Sequence, residues 1–324
     1  MVVGSDALEH RIFRDLPSIL RPDDLLVLNE TKVIAARIYG TRSGAQGRGG
    51  RVEFLLLHPA RSLRYDPLAT TWIALARPAR RLRVGERVSF APFGDAVIVA
   101  ELDEGLREVR FELDRPFDAF LDAAGRLPLP PYIRNDTDQA QERYQTVFAR
   151  TPGSVAAPTA SLHFTPEVLG ALQERGIETV RLTLDVGLGT FRPMNGERLE
   201  EHTMHAERFT IDPAVVTAIE GAKNAGRRVV AAGTTVVRAL EGSAQLHGRV
   251  TAGEQQTSIF IRPGFDFAVV DAMITNFHLP QSTLLVLVSA FSGRERILRA
   301  YRSAIEEGYR FFSFGDAMLL TRDS

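Results

Sequence analysis

A polar segment between two apolar runs constrains the fold more than any other stretch of this chain. Residues 274–283 read ITNFHLPQST, after the apolar run 268–274 and before the apolar run 284–291. The first run predicts a mostly buried strand, and the second predicts a helix that is apolar on all sides and therefore buried. Polar side chains at the C-terminal end of a strand lie where open α/β sheets bind ligands. We expect Ser282 or Thr283 to cap the helix, whose free N–H groups then favour an anion.

Helices and strands alternate from residue 150 onward. The pattern predicts helices at 166–175, 213–225, 236–246 and 294–307, and strands at 178–186, 228–232, 258–261 and 268–274. Pro213 at the start of one helix and Gly226 after its end show the expected asymmetry of helix termini. This alternation predicts a layered α/β domain.

Residues 37–116 have a different pattern, with short β-rich segments separated by glycine-containing turns. Such spacing, with few helical signals, predicts a small antiparallel β-barrel. Because an apolar strand at 25–28 precedes the barrel, we predict that the barrel is inserted into the α/β domain. The predicted domains are a discontinuous α/β catalytic domain at 1–36 and 140–324, and a barrel with its proline-rich connector at 37–139.

Composition excludes several classes of chemistry. The chain of 324 residues has no cysteine, which rules out disulfides, thiol nucleophiles, cysteine-bound zinc and iron–sulfur clusters. Its apolar runs are far shorter than the ~20 residues of a membrane helix, and its first residues show no signal-peptide pattern. We therefore expect a cytoplasmic protein, without a membrane partner and in a monomeric state.

The most basic run of the chain spans residues 77–87 and contains Arg80, Arg81, Arg83 and Arg87. A run of this kind is usually a solvated loop. Its functional interpretation is a phosphate-contacting edge, which would make binding salt-dependent without sequence specificity. The net charge of −1 gives no global indication of nucleic-acid binding.

Histidines and hydroxyl residues cluster at other strand ends. His163 lies among small and hydroxyl residues, and its pKa range suits proton transfer. His202 and His205 form an HxxH pair, whose spacing and lack of cysteine argue against zinc. The Gly233-Thr234-Thr235 turn predicts an anion pocket at a helix start. We expect His163, His278 and this turn to line one pocket. Arg238 and Glu241 fall on one helix face, where the plain alternative to a binding role is an i, i+3 ion pair.

Several long motifs resemble one enzyme family, the S-adenosylmethionine:tRNA ribosyltransferase-isomerases. They are residues 127–133 (LPLPPYI), 142–164 (ERYQTVFARTPGSVAAPTASLHF), 233–241 (GTTVVRALE), 259–264 (IFIRPG), 275–291 (TNFHLPQSTLLVLVSAF) and 309–318 (YRFFSFGDAM), with further matches at 29–37 and 201–205. The resemblance implies a large α/β domain with an inserted β-barrel. It also implies transfer of the ribosyl part of S-adenosylmethionine to 7-aminomethyl-7-deazaguanine at the tRNA wobble position, which gives epoxyqueuosine, adenine and methionine.

The chemistry implied by the resemblance assigns roles to these residues. A base must remove the proton beside the sulfonium, adenine needs a proton donor, and a carboxylate can stabilise the sulfonium. S-adenosylmethionine is a consumed co-substrate, so we expect no cofactor and no metal. The candidate catalytic residues are His163, Asp185, His202, His205 and His278. The candidate substrate-binding residues are Thr159, Ser161, Thr190, Thr234, Thr235, Arg238, Asn276, Ser282 and Thr283, and the candidate tRNA-binding residues are Arg80, Arg81, Arg83 and Arg87.

The chain departs from the family pattern at three points. The family usually has Gly where Ser161 stands, His where Asp185 stands, and an additional twenty or so N-terminal residues. If the family's His donates a proton, an ionised Asp185 cannot replace it; if the position shapes the pocket or faces the sulfonium, Asp is acceptable, and we favour this second case. The alternatives to the family activity are a non-catalytic tRNA-binding relative and a paralogue that uses another acceptor.

Overall fold

A computed structural model describes residues 1–5, 7–42, 49–62, 64–130, 132–133, 137–187, 202 and 204–322. The chain divides into two compact units. The first comprises Met1–Thr31, Gln145–Thr151 and Ala157–Ser324, and the second comprises Lys32–Tyr144 and Pro152–Ala156. The second unit thus begins earlier and ends later than the predicted insertion at 37–139, and it takes in a separate short stretch.

The described residues form the following elements. The strands are β1 (Val2–Val3), β2 (Leu8–Glu9), β3 (Leu25–Asn29), β4 (Thr31–Val33), β5 (Arg37–Arg42), β6 (Arg51–Pro59), β7 (Thr71–Arg77), β8 (Arg87–Ser89), β9 (Gly94–Glu101), β10 (Leu106–Leu113), β11 (Gly125–Arg126), β12 (Thr151–Ser154), β13 (Glu178–Leu184), β14 (Glu207–Ile211), β15 (Val229–Ala232), β16 (Gly253–Thr257), β17 (Ala272–Asn276) and β18 (Ala317–Thr321). The helices are α1 (Leu16–Ile19), α2 (Phe117–Ala124), α3 (Asp138–Arg143), α4 (Pro166–Glu174), α5 (Pro213–Asn224), α6 (Thr234–His247), α7 (Thr283–Ser292) and α8 (Arg294–Glu306).

The first unit is built on a nine-stranded sheet in the order β16-β14-β13-β3-β15-β17-β18-β1-β2. Strands β13, β3, β15 and β17 are parallel to their neighbours within this group. Every residue of β3, β15 and β17 is buried, because helices cover both faces of a parallel sheet. A core under one face joins α1 and α4 to the strands through residues such as Leu16, Leu26, Leu172 and Ile274. The predicted α/β class is confirmed.

The second unit contains a closed six-stranded antiparallel barrel. Its strands run in the order β5-β6-β7-β10-β9-β8, a pairing of β5 with β8 closes the barrel, and β11 extends β5. Burial alternates along β7, as expected for a strand with one face inside a barrel. Aromatic rings fill the interior, with Trp72 stacked on Phe117 and Phe111 edge-on to the same ring. The predicted small antiparallel barrel is confirmed.

The predicted boundaries of α6 and of the strand that follows it are wrong. Helix α6 starts at Thr234 rather than at residue 236, so the Thr234–Thr235 turn is itself the first turn of the helix. The strand predicted at 258–261 is absent, and β16 ends at Thr257 instead. Thr257 pairs with Glu207, the first residue of β14, so the ladder has no partner beyond it. The Thr257 hydroxyl then accepts a hydrogen bond from the backbone N–H of Ile259, at 3.2 Å.

Strand β17 begins at Ala272, later than predicted, because the backbone N–H groups of the preceding segment donate hydrogen bonds to a buried carboxylate instead of to a neighbouring strand. Glu241 of α6 accepts hydrogen bonds from the N–H groups of Ala268, Val269 and Val270, at 2.9, 3.0 and 2.9 Å. The alternative of an ion pair between Arg238 and Glu241 is therefore wrong. This carboxylate serves as a backbone anchor under the strand.

Helix α7 confirms its predicted cap but not its predicted burial. The Ser282 hydroxyl accepts a hydrogen bond from the N–H of Leu285, at 3.2 Å. The helix is buried at residues such as Leu287 and Phe291, whereas Leu284, Leu285 and Val286 are half-buried. It thus packs on one side only. Among the described residues, the helices are too short or too polar to cross a bilayer.

We expect Glu241→Ala to lower the free energy of unfolding by about 3 kcal/mol, because the buried N–H groups of Val269 and Val270 and the partly buried N–H of Ala268 lose a charged acceptor. Glu241→Gln keeps one acceptor oxygen and should cost less. Urea unfolding of both variants beside the parent measures the two effects. Equal stability of the alanine variant and the parent would contradict the anchoring role.

Candidate active site at the ends of the parallel strands

The ends of the parallel strands form a crevice at a topological switch point. From β3 the chain continues to β13 on one side, whereas from β15 it continues through α6 to β17 on the other. Connections that leave in opposite directions open a gap outside the carboxyl ends of two neighbouring strands, and ligands of open α/β sheets bind there. The gap in this sheet lies between the ends of β3 and β15.

Asn29 ties three elements together at this gap. Its side chain is fully buried and donates to the carbonyl of Leu184, at 3.0 Å, while its Oδ1 accepts from the N–H groups of Leu184 and Thr31, at 3.0 and 3.1 Å. The Nδ2 atom also lies 3.4 Å from the hydroxyl of Thr235 in the first turn of α6. One amide therefore fixes the ends of β3 and β13 and the start of α6.

Asp185 follows β13 directly and is held by two partners. It forms an ion pair with Arg208 of β14, and its Oδ1 accepts a hydrogen bond from the Thr31 hydroxyl, at 2.9 Å. Burial raises the pKa of Asp185, while the charge of Arg208 and the Thr31 bond oppose that shift. Glu254 lies 3.5 Å from the other terminal nitrogen of Arg208. The charge of Asp185 is thus compensated within the protein.

A second buried ion pair lies on α6. Arg238 pairs with Glu207 of β14, and both residues are 5% exposed. The Nε and Nη2 atoms of Arg238 have no hydrogen-bond partner among the described residues. Side chains of a helix tilt toward its N-terminus, which directs this guanidinium to the first turn of α6. The Nε and Nη2 atoms of this buried cation could therefore donate hydrogen bonds to a ligand at the strand ends.

No side chain of the described residues caps the start of α6. Gly233 precedes it with φ of 101°, a backbone conformation that favours glycine. A Cβ at Gly233 would lie 3.6 Å from the Cβ of Ala160, so the loop carrying His163 passes beside this turn. Thr234 and Thr235 are buried at 7% exposure each. The N–H groups and hydroxyls of Thr234 and Thr235 are of the kind that bind anions at a helix start, and the anion pocket expected there stays a prediction.

His163 meets the end of β17 through Asn276. The Nε2 atom of His163 lies 3.1 Å from Nδ2 of Asn276, and the Thr159 hydroxyl lies 3.1 Å from Oδ1 of the same amide. The imidazole stacks on Phe13, with ring centroids 5.0 Å apart. Burial lowers the pKa of His163 to about 4, so the ring is neutral at pH 7. It lines a cavity of about 420 Å³ together with residues that include Asp316.

His278 lies apart from this crevice. Its Nε2 is 2.8 Å from the hydroxyl of Thr275, and burial alone lowers its pKa to about 4. Thr275 and Asn276 are consecutive strand residues, so their side chains point to opposite faces of the sheet. The expectation that His163, His278 and the Thr234–Thr235 turn share one pocket is therefore wrong. The turn neighbours the His163 loop, and His278 lies on the other face.

The remaining candidates occupy varied positions. His202 is half-buried with its ring edge-on to Phe260, and His205 is exposed. Ser161 is fully buried, and its hydroxyl has no hydrogen-bond partner in the described part of the chain. Ser282 and Thr283 are buried at the start of α7, and Thr190 lies outside the described residues. Within those residues, no group of three or more His, Asp or Glu side chains is arranged to hold a metal ion.

The arginine run of the barrel unit contains two kinds of side chain. Arg80, Arg81 and Arg83 are exposed and form no ion pair with the described residues. Arg87 is ion-paired with Asp95 and Glu112, at 3.3 and 2.6 Å. Its charge is therefore already partly compensated, unlike those of the other three.

Sequence reasoning missed four residues of the crevice, namely Asn29, Thr31, Glu207 and Arg208. Asn29 and Thr31 stand just past a buried strand, so a polar cluster at that position was a usable signal. Arg208 had no comparable signal, because it lies inside a strand and contacts Asp185 across 23 positions of sequence. Glu207, its neighbour, was missed for the same reason.

These features define the class of protein: an α/β enzyme fold with an inserted β-barrel and a polar crevice at the switch point of its sheet. A family model described as queuosine biosynthesis protein matches residues 1–320. The chain belongs to this family.

Relatives and a solved structure agree with that assignment. A protein of Heliobacterium modesticaldum named S-adenosylmethionine:tRNA ribosyltransferase-isomerase is 52% identical over 97% of this chain and 89% of its own length. A protein of Deinococcus radiodurans with the same name is 51% identical over 99% and 88%. The crystal structure of an S-adenosylmethionine tRNA ribosyltransferase from Thermotoga maritima is similar, with a TM-score of 0.50 and 33% identity, over 98% of this chain and 90% of that chain.

Removing either member of the Asp185–Arg208 pair should be costly, because the other would be left as a buried charge without its main partner. Arg208 would keep only the half-exposed Glu254, at 3.5 Å, and Asp185 would keep only the Thr31 hydroxyl. We expect Asp185→Asn and Arg208→Gln each to lower the free energy of unfolding by about 3 kcal/mol. The double variant should lose clearly less than the sum of the two. A double-mutant cycle by urea unfolding measures this coupling, and strictly additive losses would show that the pair is not a unit.

Stability should fall as the pH is lowered from about 6.5 to about 4. In that interval an unfolded histidine takes up a proton, whereas folded His278 stays neutral until about pH 4. The unfolded state then binds more protons, which costs up to about 3 kcal/mol for this residue. In urea unfolding across this pH range, His278→Gln should flatten the dependence and exposed His205→Gln should leave it unchanged. An equal slope for parent and His278→Gln would contradict the assignment.

Proposed function

We propose that this protein transfers and isomerises the ribosyl part of S-adenosylmethionine onto 7-aminomethyl-7-deazaguanine at the tRNA wobble position. A bond to the aminomethyl nitrogen and, through the isomerisation, one further bond within the ribosyl part form, while the ribosyl bonds to adenine and to the methionine sulfur break. The amine and the carbon beside the sulfonium each lose a proton; one of these protons goes to adenine and the other is released. The observation that carries this proposal is near-complete coverage by relatives that bear the ribosyltransferase-isomerase name, together with the polar crevice. A tRNA substrate fits the cytoplasmic location expected from the sequence.

The methionine carboxylate of S-adenosylmethionine belongs, in this proposal, at the start of α6. Support comes from the first turn at Thr234 and Thr235, which no described side chain caps, and from Nε and Nη2 of Arg238, which have no partner among the described residues. Each favours an anion: the helix terminus through its free N–H groups, the guanidinium through its charge. Glu207 holds the guanidinium of Arg238 in place and compensates its positive charge.

Asp185 shapes the pocket in this proposal and does not act as a proton donor. Its ion pair with Arg208 and its bond from Thr31 use both carboxylate oxygens. The carboxylate of Asp185 therefore orients the guanidinium of Arg208 and the hydroxyl of Thr31, both of which lie at the crevice. S-adenosylmethionine is a consumed co-substrate, and the proposal includes neither a metal nor a further cofactor.

Single-turnover release of adenine tests the proposal. The protein is incubated with S-adenosylmethionine and with tRNA that carries the deazaguanine, and we expect adenine, methionine and ribosylated tRNA. Asp185→His should release adenine no faster than the parent, because it leaves the buried Arg208 with only the half-exposed Glu254 as a partner. A gain of tenfold or more, worth about 1.4 kcal/mol of barrier, would instead make this position a proton donor.

The same assay separates the alternatives. Binding of tRNA without adenine release would identify a non-catalytic relative. Adenine release only with another acceptor would identify a paralogue. Neither outcome is compatible with the proposed reaction.

Arg80, Arg81 and Arg83 contact tRNA phosphates in this proposal, because they are exposed and unpaired among the described residues. Changing all three to Gln should weaken tRNA binding and reduce the slope of log K against log salt by about 1 per lost phosphate contact. Arg87→Gln should have a smaller effect, since Asp95 and Glu112 already pair with it. An unchanged slope in the triple variant would place the tRNA surface elsewhere.

A further inference from the structure

The backbone carbonyl of Phe312 determines which way the amide of Asn276 faces. Phe312 has φ of 72°, a conformation that non-glycine residues rarely adopt and that often occurs at functional sites. Its N–H donates to the carbonyl of Phe277, at 3.0 Å, and its own carbonyl lies 3.2 Å from Nδ2 of Asn276. A backbone carbonyl only accepts hydrogen bonds. The nitrogen of the amide, and not its oxygen, must therefore face Phe312.

This orientation fixes the remaining bonds of Asn276. The Thr159 hydroxyl donates to Oδ1, at 3.1 Å, and the second hydrogen of Nδ2 points to Nε2 of His163, at 3.1 Å. Because an amide nitrogen only donates, Nε2 must supply a lone pair. Neutral His163 then carries its single ring hydrogen on Nδ1.

The same network opposes a charged imidazole. Protonation at Nε2 would place its N–H opposite the N–H of the Asn276 amide, so that two donors would face each other. Burial also disfavours the cation and lowers the pKa of His163 to about 4. The charged groups that face the ring are Asp316, which favours the cation, and Arg310 and the amino group of Met1, which disfavour it. Phe13 covers one face of the ring and carries no charge.

We propose that Asn276 and Phe312 are positioning residues that hold His163 as a neutral Nδ1–H donor, which binds an acceptor atom of the substrate instead of removing a proton. Nδ1 has no hydrogen-bond partner among the described residues, and the ring lines the cavity of about 420 Å³. A neutral imidazole N–H can stabilise negative charge that develops on a substrate. The identity of that substrate rests on the proposed function, whereas the tautomer does not.

Long-range ¹H–¹⁵N spectra of the full chain with ¹⁵N-labelled histidine test the tautomer without any substrate. At pH 7 we expect His163 to be protonated at Nδ1. Asn276→Asp replaces the donor by a carboxylate, which only accepts, and should move the proton to Nε2 and raise the pKa of His163. Thr275→Val is the matched control: it removes the partner of His278 and should leave the His163 signals unchanged. A proton on Nε2 in the parent would overturn the proposal.

Activity separates a donor from a base. His163→Gln keeps a side-chain N–H, whereas His163→Leu keeps none. For a donor, single-turnover adenine release should be at least tenfold faster in the Gln variant than in the Leu variant. Equal loss in both would mean that His163 acts as a base, and the proposal would fail. If the parent itself released no adenine, the proposed function would fail while the tautomer result stood.

Discussion

The hydrogen bonds of Asn29 are the constraint on which the crevice depends. A strand end normally leaves its last backbone groups to water, but here one buried amide satisfies groups of Leu184 and Thr31 and approaches Thr235. An amide can do this because it presents an acceptor and a donor side by side. A carboxylate or an aliphatic chain at this position would leave buried groups unpaired. The mutual placement of Asp185, Thr31 and the start of α6 follows from that single side chain.

Charges at the strand ends are compensated in pairs rather than left exposed to a ligand. Asp185 pairs with Arg208 of β14, and Glu207, the preceding residue of β14, pairs with Arg238 of α6. A single unpaired charge at this depth would cost several kcal/mol, so pairing is required for the fold to hold these groups at all. A ligand can still be recognised through the N–H groups that these carboxylates do not bind: Nε and Nη2 of Arg238 and Nε of Arg208 have no hydrogen-bond partner among the described residues.

Sequence patterns were sufficient for the layout and insufficient for the contacts. The apolar runs that became β3, β15 and β17, and the alternation that became β7 of the barrel, follow directly from burial on two faces or on one. The start of β17 was misplaced because Glu241 competes for its backbone from another element. Arg208 was missed for a similar reason. A contact with a residue distant in the chain does not change the local pattern of apolar and polar residues, so that pattern cannot predict it.

The two buried histidines show why burial alone does not identify a functional residue. Both His163 and His278 have a pKa lowered to about 4, and both are neutral at pH 7. His278 bonds to the hydroxyl of Thr275, which can donate or accept and so leaves the tautomer open. His163 meets an amide whose orientation is already set by a backbone carbonyl, so only one of its nitrogens can carry the proton. The difference arises from the alternation of β17, which sends Thr275 to one face and Asn276 to the other.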